Sequence, residues 1–232
     1  MNPMKKTART AGFWYLLMAI TGPLGLVYVP SNIFIAGDAA ATANNILSSE
    51  TLYRISIISN LICQTVFIFL VLALYRLFKD VDKKYALLMV ALVIVSVPIA
   101  FLSILFQAAP LFLLSGSAYQ TLAPNQLHAQ VMMFIDLYNH GTTLAEIFWG
   151  LWLFPFGILV IKSGFIPKIL GILLIIACFG YLASSVATIL FPAAKNAVGI
   201  FTSIAGTVGE FSILLWLLIK GVKDQQTKGN MT

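Results

Sequence analysis

At 232 residues, 60% hydrophobic and only 9% charged, the chain carries far fewer charges than the roughly 25% typical of a soluble domain. Its mean hydropathy of +0.95 and its uncharged apolar runs of about 20 residues mark a polytopic helical membrane protein. They exclude disordered, collagen-like and disulfide-rich classes. The net charge of +6 would suggest nucleic acid in a soluble protein. Here the basic residues stand between apolar runs, so they report topology, and no nucleic-acid partner is expected.

The opening "MNPMKKTARTAGFWYLLMAITGPLG" places basic residues before an apolar stretch, as a signal peptide would. The stretch continues past Pro23 to about Tyr28 with no prompt small-x-small cleavage site, so it reads as a retained first span. Six spans are predicted in one membrane domain over residues 1–232, near 11–30, 55–75, 85–107, 130–161, 169–191 and 197–219. The expected fold is an all-α integral membrane protein, a six-transmembrane-helix bundle. Pro23, Pro98 and Pro155 interrupt the first, third and fourth spans, where kinks are expected. Cys63 and Cys178 both fall in apolar runs, with no CxxC spacing to suggest a metal or redox pair.

The loops orient the chain. Lys5, Lys6 and Arg9 precede the first span, and Arg76, Lys79, Lys83 and Lys84 separate the second from the third. Lys162 and Lys168 separate the fourth from the fifth, and Lys220, Lys223 and Lys228 follow the sixth. All fall on one side, while the other receives only Arg54 and Lys195. The positive-inside rule makes the first side cytoplasmic, with both termini on it. The expected location is a bacterial cytoplasmic membrane, with lipid as the surrounding partner. "RLFKDVDKK" and "KSGFIPK" are short enough to join antiparallel hairpins. In the longer external segment, Asp38 is positioned to N-cap a short Ala-rich helix, and Ser48 or Ser49 to cap the helix entering the second span.

Ionisable residues inside such a sequence are costly, about 2.5 kcal/mol or more at depth. A rise of ~1.5 Å per residue through a core of ~30 Å allows depth to be estimated. Counting back from Lys162 puts Glu146 in the outer third of the fourth span, with His140 and Asp136 at or beyond its outer edge. Glu210 lies near the midplane of the sixth span. Gln64 lies slightly beyond the middle of the second, Asn60 farther out, and Arg54 and Gln107 near the outer boundary. At ~100° per residue, Asp136, Asn139, His140, Thr143, Glu146 and Gly150 form one stripe, expected to face the protein or a watery vestibule. Asn60 and Gln64 share a face, as do Gly206, Thr207 and Glu210. These faces suggest an outward-opening polar cavity between the second, fourth and sixth spans, with Arg54 a candidate counter-ion for Asp136 or Glu146. A structural reading stands beside it: Asp136 and His140 as a solvated turn, and Glu146 and Glu210 protonated and hydrogen-bonded to neighbouring helices.

Several chemistries are argued against. His128 and His140 are the two histidines, and on one helix they lie ~18 Å apart, too far to share zinc or haem. No metal or cofactor is expected. No Walker A, GxGxxG or GxSxG motif occurs, and no mid-span lysine suits retinal. A Ser–His or Asp–His hydrolase using Ser184, Ser185 or Ser203 stays open, and no catalytic residue can be named.

Two segments carry a family resemblance. "IAGDAAATANNILSSETLYRISI" (Ile35–Ile57) and "VIKSGFIPKILGILLIIACFGYL" (Val160–Leu182) resemble the signatures of a bacterial membrane family known as domain of unknown function 4386. The matching positions run from Gly37 to Arg54 and from Ser163 to Gly171, and "AGFWYLL" fits as well. The resemblance spans roughly Lys6 to Val222. It implies a six-helix integral membrane protein and carries over no catalytic residue. The leading reading is a membrane protein that binds or moves a proton, ion or amphiphile, with Glu146, Glu210, His140, Asp136, Arg54, Asn60 and Gln64 as candidate ligand-binding residues. The alternatives are an intramembrane enzyme acting on a lipid-like substrate, and a structural or sensory protein without chemistry. Oligomeric state is not readable.

Overall fold

The computed structural model describes residues 3–116 and 122–222. Lys223, Lys228 and residues 117–121, between the third and fourth spans, lie outside the described residues. The chain is all-α, with no strand among the described residues. Six helices are long and apolar enough to cross a membrane: α1 (Pro3–Ile33), α3 (Glu50–Phe78), α4 (Lys83–Ser115), α5 (Pro124–Ser163), α6 (Lys168–Leu190) and α7 (Ala197–Lys220). A short helix, α2 (Ala39–Ser48), lies between the first two.

The helices overrun the apolar runs that predict them, because helical hydrogen bonding continues past the point where the sequence turns polar. α4 continues to Ser115 through both Pro98 and Pro110. Two of the predicted proline effects are visible. After Pro23, α1 widens into a π-helical turn over Leu24–Tyr28. α5 breaks at Trp152, between Pro124–Leu151 and Leu153–Ser163. Pro155 has no N–H to give the Leu151 carbonyl, and its ring crowds that oxygen.

Contacts divide the chain into two compact units. Unit one comprises Met1–Tyr15, Phe69–Val93 and Ile147–Thr232, and unit two comprises Leu16–Ile68 and Ile94–Glu146. Unit one is organised on a run of buried aromatic rings. Tyr15 meets Trp152 at 6.2 Å, Trp152 stacks on Phe156 at 5.3 Å, and Phe156 meets Phe78 edge-on at 5.8 Å. Phe78 then stacks on Phe165 at 5.7 Å. Each such pair contributes about 0.5–1.5 kcal/mol beyond the area it buries. Phe165 belongs to "KSGFIPK", and the turn explains that motif. Gly164 ends the helix with φ +69°, a left-handed conformation suited to glycine, and Phe165 and Ile166 turn inward. Lys162 Nζ donates to Asp82 Oδ2 at 2.7 Å and lies 4.7 Å from the Tyr85 ring centre. The Lys162 hydrogen bond, with that from the Tyr85 backbone N–H, holds the Asp82 carboxyl below the usual carboxylate range.

Unit two buries Val29, Ile33, Ile46, Tyr53, Leu111, Val131 and Ile135 in one cluster. The "GDAAATANN" run docks α2 onto it. Asp38 caps the helix by accepting from the Ala41 N–H at 2.8 Å, as the sequence predicts. The Thr42 hydroxyl accepts from the Ile35 N–H at 2.9 Å and donates to the Ile35 carbonyl at 3.2 Å. Asn45 Nδ2 donates to the Ile33 carbonyl at 3.1 Å. Ser49 precedes the first turn of α3, its carbonyl accepting from the Tyr53 N–H at 3.0 Å.

Candidate functional site

α7 presents Thr202, Gly206, Gly209 and Ile213 to the interior of unit one, with Glu210 at the edge of this face, half-buried. Thr207 is exposed; the face is rotated from the predicted one because the glycines, not the threonine, allow close packing. The carboxyl of Glu210 is held at both oxygens. Tyr15, from α1, donates to Oε2 at 2.8 Å, and Tyr181, from α6, donates to Oε1 at 2.8 Å. Tyr15 is 1% exposed, fixed against Trp152, whereas Tyr181 is half-buried. A Cβ at Gly206 would lie 3.1 Å from the Tyr181 hydroxyl, so glycine there lets the phenol lie along α7. Two hydroxyl donors on one carboxyl supply the partners that a polar group away from water requires. No histidine, lysine or arginine takes part in these hydrogen bonds.

Unit two holds a different cluster. Gln107 of α4 is its centre, fully buried. Its Nε2 donates to Ser56 Oγ at 3.0 Å, and its Oε1 accepts from Asn60 Nδ2 at 3.0 Å. The Tyr53 hydroxyl donates to its backbone carbonyl at 2.6 Å. Asn60 Nδ2 also lies 3.4 Å from the Gly25 carbonyl and from the Tyr138 hydroxyl. Asn60 Oδ1 sits where a side chain at residue 25 would stand, so Gly25 admits the amide. Asn60 and Gln64 share a buried face, as predicted, at 2% and 4% exposure. Asn60 Oδ1 and Gln64 Oε1 have no hydrogen-bond donor among the described residues.

The polar stripe of the fourth span divides. Asp136, Asn139 and His140 are exposed rather than turned inward, and Val131, Ile135, Tyr138 and Ala145 occupy the buried face instead. Packing the larger apolar groups decides the rotation of α5. His140 Nδ1 lies 2.7 Å from the Asp136 carbonyl on its own helix, beside a shallow, open depression lined by Ala129, Met132, Met133 and Leu137. Glu146 is half-buried in unit two. Arg54 has a partner nearer in sequence than Asp136 or Glu146. It pairs with Glu50, one turn before it on α3, at 2.7 Å, and both are exposed. That i,i+4 spacing was visible in the sequence. Among the described residues no three His, Cys, Asp or Glu side chains are grouped to hold a metal ion.

Sequence reasoning singled out Glu210 by its depth but named neither tyrosine. Tyr15 stands 195 positions from Glu210, and its hydroxyl is hidden in a run of aromatic residues. The signal available was the cost of a deep carboxyl, which demands donors from neighbouring helices.

A similar protein in Archaeoglobus fulgidus, described as an uncharacterized protein, is 31% identical over 151 residues, covering 65% of this chain and 74% of the relative. No solved structure matches the chain. Residues 10–221 match the family described as domain of unknown function 4386, nearly the whole stretch over which the two signature segments and the six apolar helices extend, and the chain belongs to that family.

Proposed function

We propose that this protein binds a proton or a small cation at Glu210 and carries it part of the way across the cytoplasmic membrane, with both chain termini on the cytoplasmic side. The observation that supports this reading is a mid-span carboxyl whose two oxygens each accept a tyrosine hydroxyl at 2.8 Å. Intramembrane carboxyls are expensive, and those that persist commonly lie on ion or proton pathways. The orientation rests on the distribution of lysine and arginine between the loops.

The arrangement couples binding to movement. An ionised carboxyl accepts at both oxygens, so both phenols donate. Once a proton is bound, the oxygen that carries it becomes a donor and a poorer acceptor, which weakens the hydrogen bond from the tyrosine facing it. Tyr15 is packed against Trp152 and 1% exposed, whereas Tyr181 is half-buried, so Tyr181 is the donor expected to give way. A bound cation would replace a tyrosine donor in the same manner.

The experiment is proton flux into liposomes containing a pH-sensitive dye, comparing the wild type with Glu210→Gln. Flux that exceeds protein-free vesicles and falls at least tenfold in the variant is expected. Equal flux in both proteins, at equal reconstitution, would sink the proposal. A reporter fused after Thr232 and active only outside the cytoplasm would overturn the orientation.

A further inference from the structure

We propose that the end of unit one where the first and last spans meet binds the phosphate headgroup of an anionic phospholipid. Positive charge is gathered there by tertiary structure as well as by sequence. Arg9 of α1 donates to the Ile219 carbonyl at the end of α7, at 3.4 Å. Gly221, just past α7 with φ +69°, lies so close to Lys5 that a Cβ would come within 3.1 Å of the lysine Cγ. The chain is thus closed on itself, with Lys5, Lys6 and Lys220 at one seam. Lys6 and Lys220 are exposed and Lys5 half-buried. None of the three is paired with a carboxylate among the described residues. Arg9 helps to hold the seam, and the three ammonium groups face the ligand.

The neighbouring surface argues for a lipid rather than a soluble anion. On α1, Lys5, Lys6, Arg9 and Phe13 fall within about 100° of arc, and Phe13 is 54% exposed. On α7, Leu215 and Ile219 are 49% and 60% exposed. Cations at the rim of an exposed apolar surface match an amphiphile with an anionic head and acyl chains. Lysines placed at a bilayer surface attract acidic lipid. A soluble anion would gain only from the charges.

The test is thermal unfolding of the full chain in neutral detergent with added phosphatidylglycerol, phosphatidylcholine or inorganic phosphate. Phosphatidylglycerol is expected to raise the midpoint by about 5 °C, with little change from the other two. The Lys5→Gln/Lys6→Gln/Lys220→Gln variant should lose most of that shift. Lys79→Gln/Lys83→Gln/Lys84→Gln, which removes the same charge from the other loop, should keep it. An equal shift with phosphatidylcholine or with phosphate alone, or an equal loss in the two variants, overturns the proposal. If the seam variant does not fold, native mass spectrometry of the wild type decides. Retention of phosphatidylglycerol in preference to phosphatidylcholine supports the site, and equal retention overturns it.

Discussion

The two units each bury a polar cluster, and the clusters are built from opposite chemistry. Unit two joins Ser56, Asn60, Gln107 and Tyr138, all neutral at any physiological pH. Unit one gathers two phenols on a single carboxyl, Glu210, which exists in two protonation states. A neutral amide network makes the same bonds whatever the pH, so its contribution is to hold helices at fixed separations. A carboxyl clamp changes its hydrogen bonding when it gains or loses a proton. Under the proposed function, the difference assigns architecture to unit two and a response to unit one.

The comparison can be broken or sharpened by substitution. The largest effect is expected from Gly25→Ala. A Cβ there overlaps Asn60 Oδ1 and comes within 2.9 Å of the Ser56 carbonyl. The misfit should destabilise by about 1–3 kcal/mol, read as a lowered unfolding midpoint in detergent. An unchanged midpoint would mean that the amide is not packed as described. Next in size is a contrast between Asn60→Leu and Tyr181→Phe. The first leaves Gln107 Oε1 buried without a donor, a cost of about 1–3 kcal/mol, with no expected change in proton response. The second removes one interhelical bond worth about 0.6 kcal/mol but should alter proton flux. If Tyr181→Phe were the more damaging to stability, or Asn60→Leu to flux, the division of roles would be wrong.

The smallest effect belongs to Asp82. Its carboxyl is held below its ordinary value by Lys162, so its contribution to stability is present above the unfolded-state value and is lost as pH falls through the folded one. Asp82→Asn should therefore reduce stability slightly at pH 7. It should also flatten the acid limb of a stability–pH curve, leaving the difference from wild type negligible at the most acidic end. An acid limb of unchanged steepness in the variant would remove Asp82 from the account.

Much of this architecture was legible in the sequence. The six helices follow from apolar runs bounded by basic residues, and the Asp38 cap and the tight "KSGFIPK" turn follow from local chemistry. Local rules apply here because cap, turn and helix each close within a few residues. The sites were less legible for the same reason. Gln107 was placed at a boundary by counting residues, yet it is the centre of a network whose partners come from α3. Asp136 and His140 drew attention as charges, but the rotation of α5 was decided by Val131, Ile135 and Tyr138, whose combined apolar burial outweighs the polar stripe. Arg54 was matched to distant carboxyls although Glu50 stood one turn away. Only the cost of a deep carboxyl pointed beyond its own helix, and it identified Glu210 without its partners.

The Glu210 clamp also has an order of assembly. Tyr15 lies on α1, Tyr181 on α6 and Glu210 on α7. In chain order the carboxyl thus follows both of its hydroxyl donors. An isolated carboxylate at that depth would resist insertion by about 2.5 kcal/mol or more, and the waiting phenols lower that barrier. The two tyrosines would then serve as a receiving dock for α7, a role separate from the one proposed for the site.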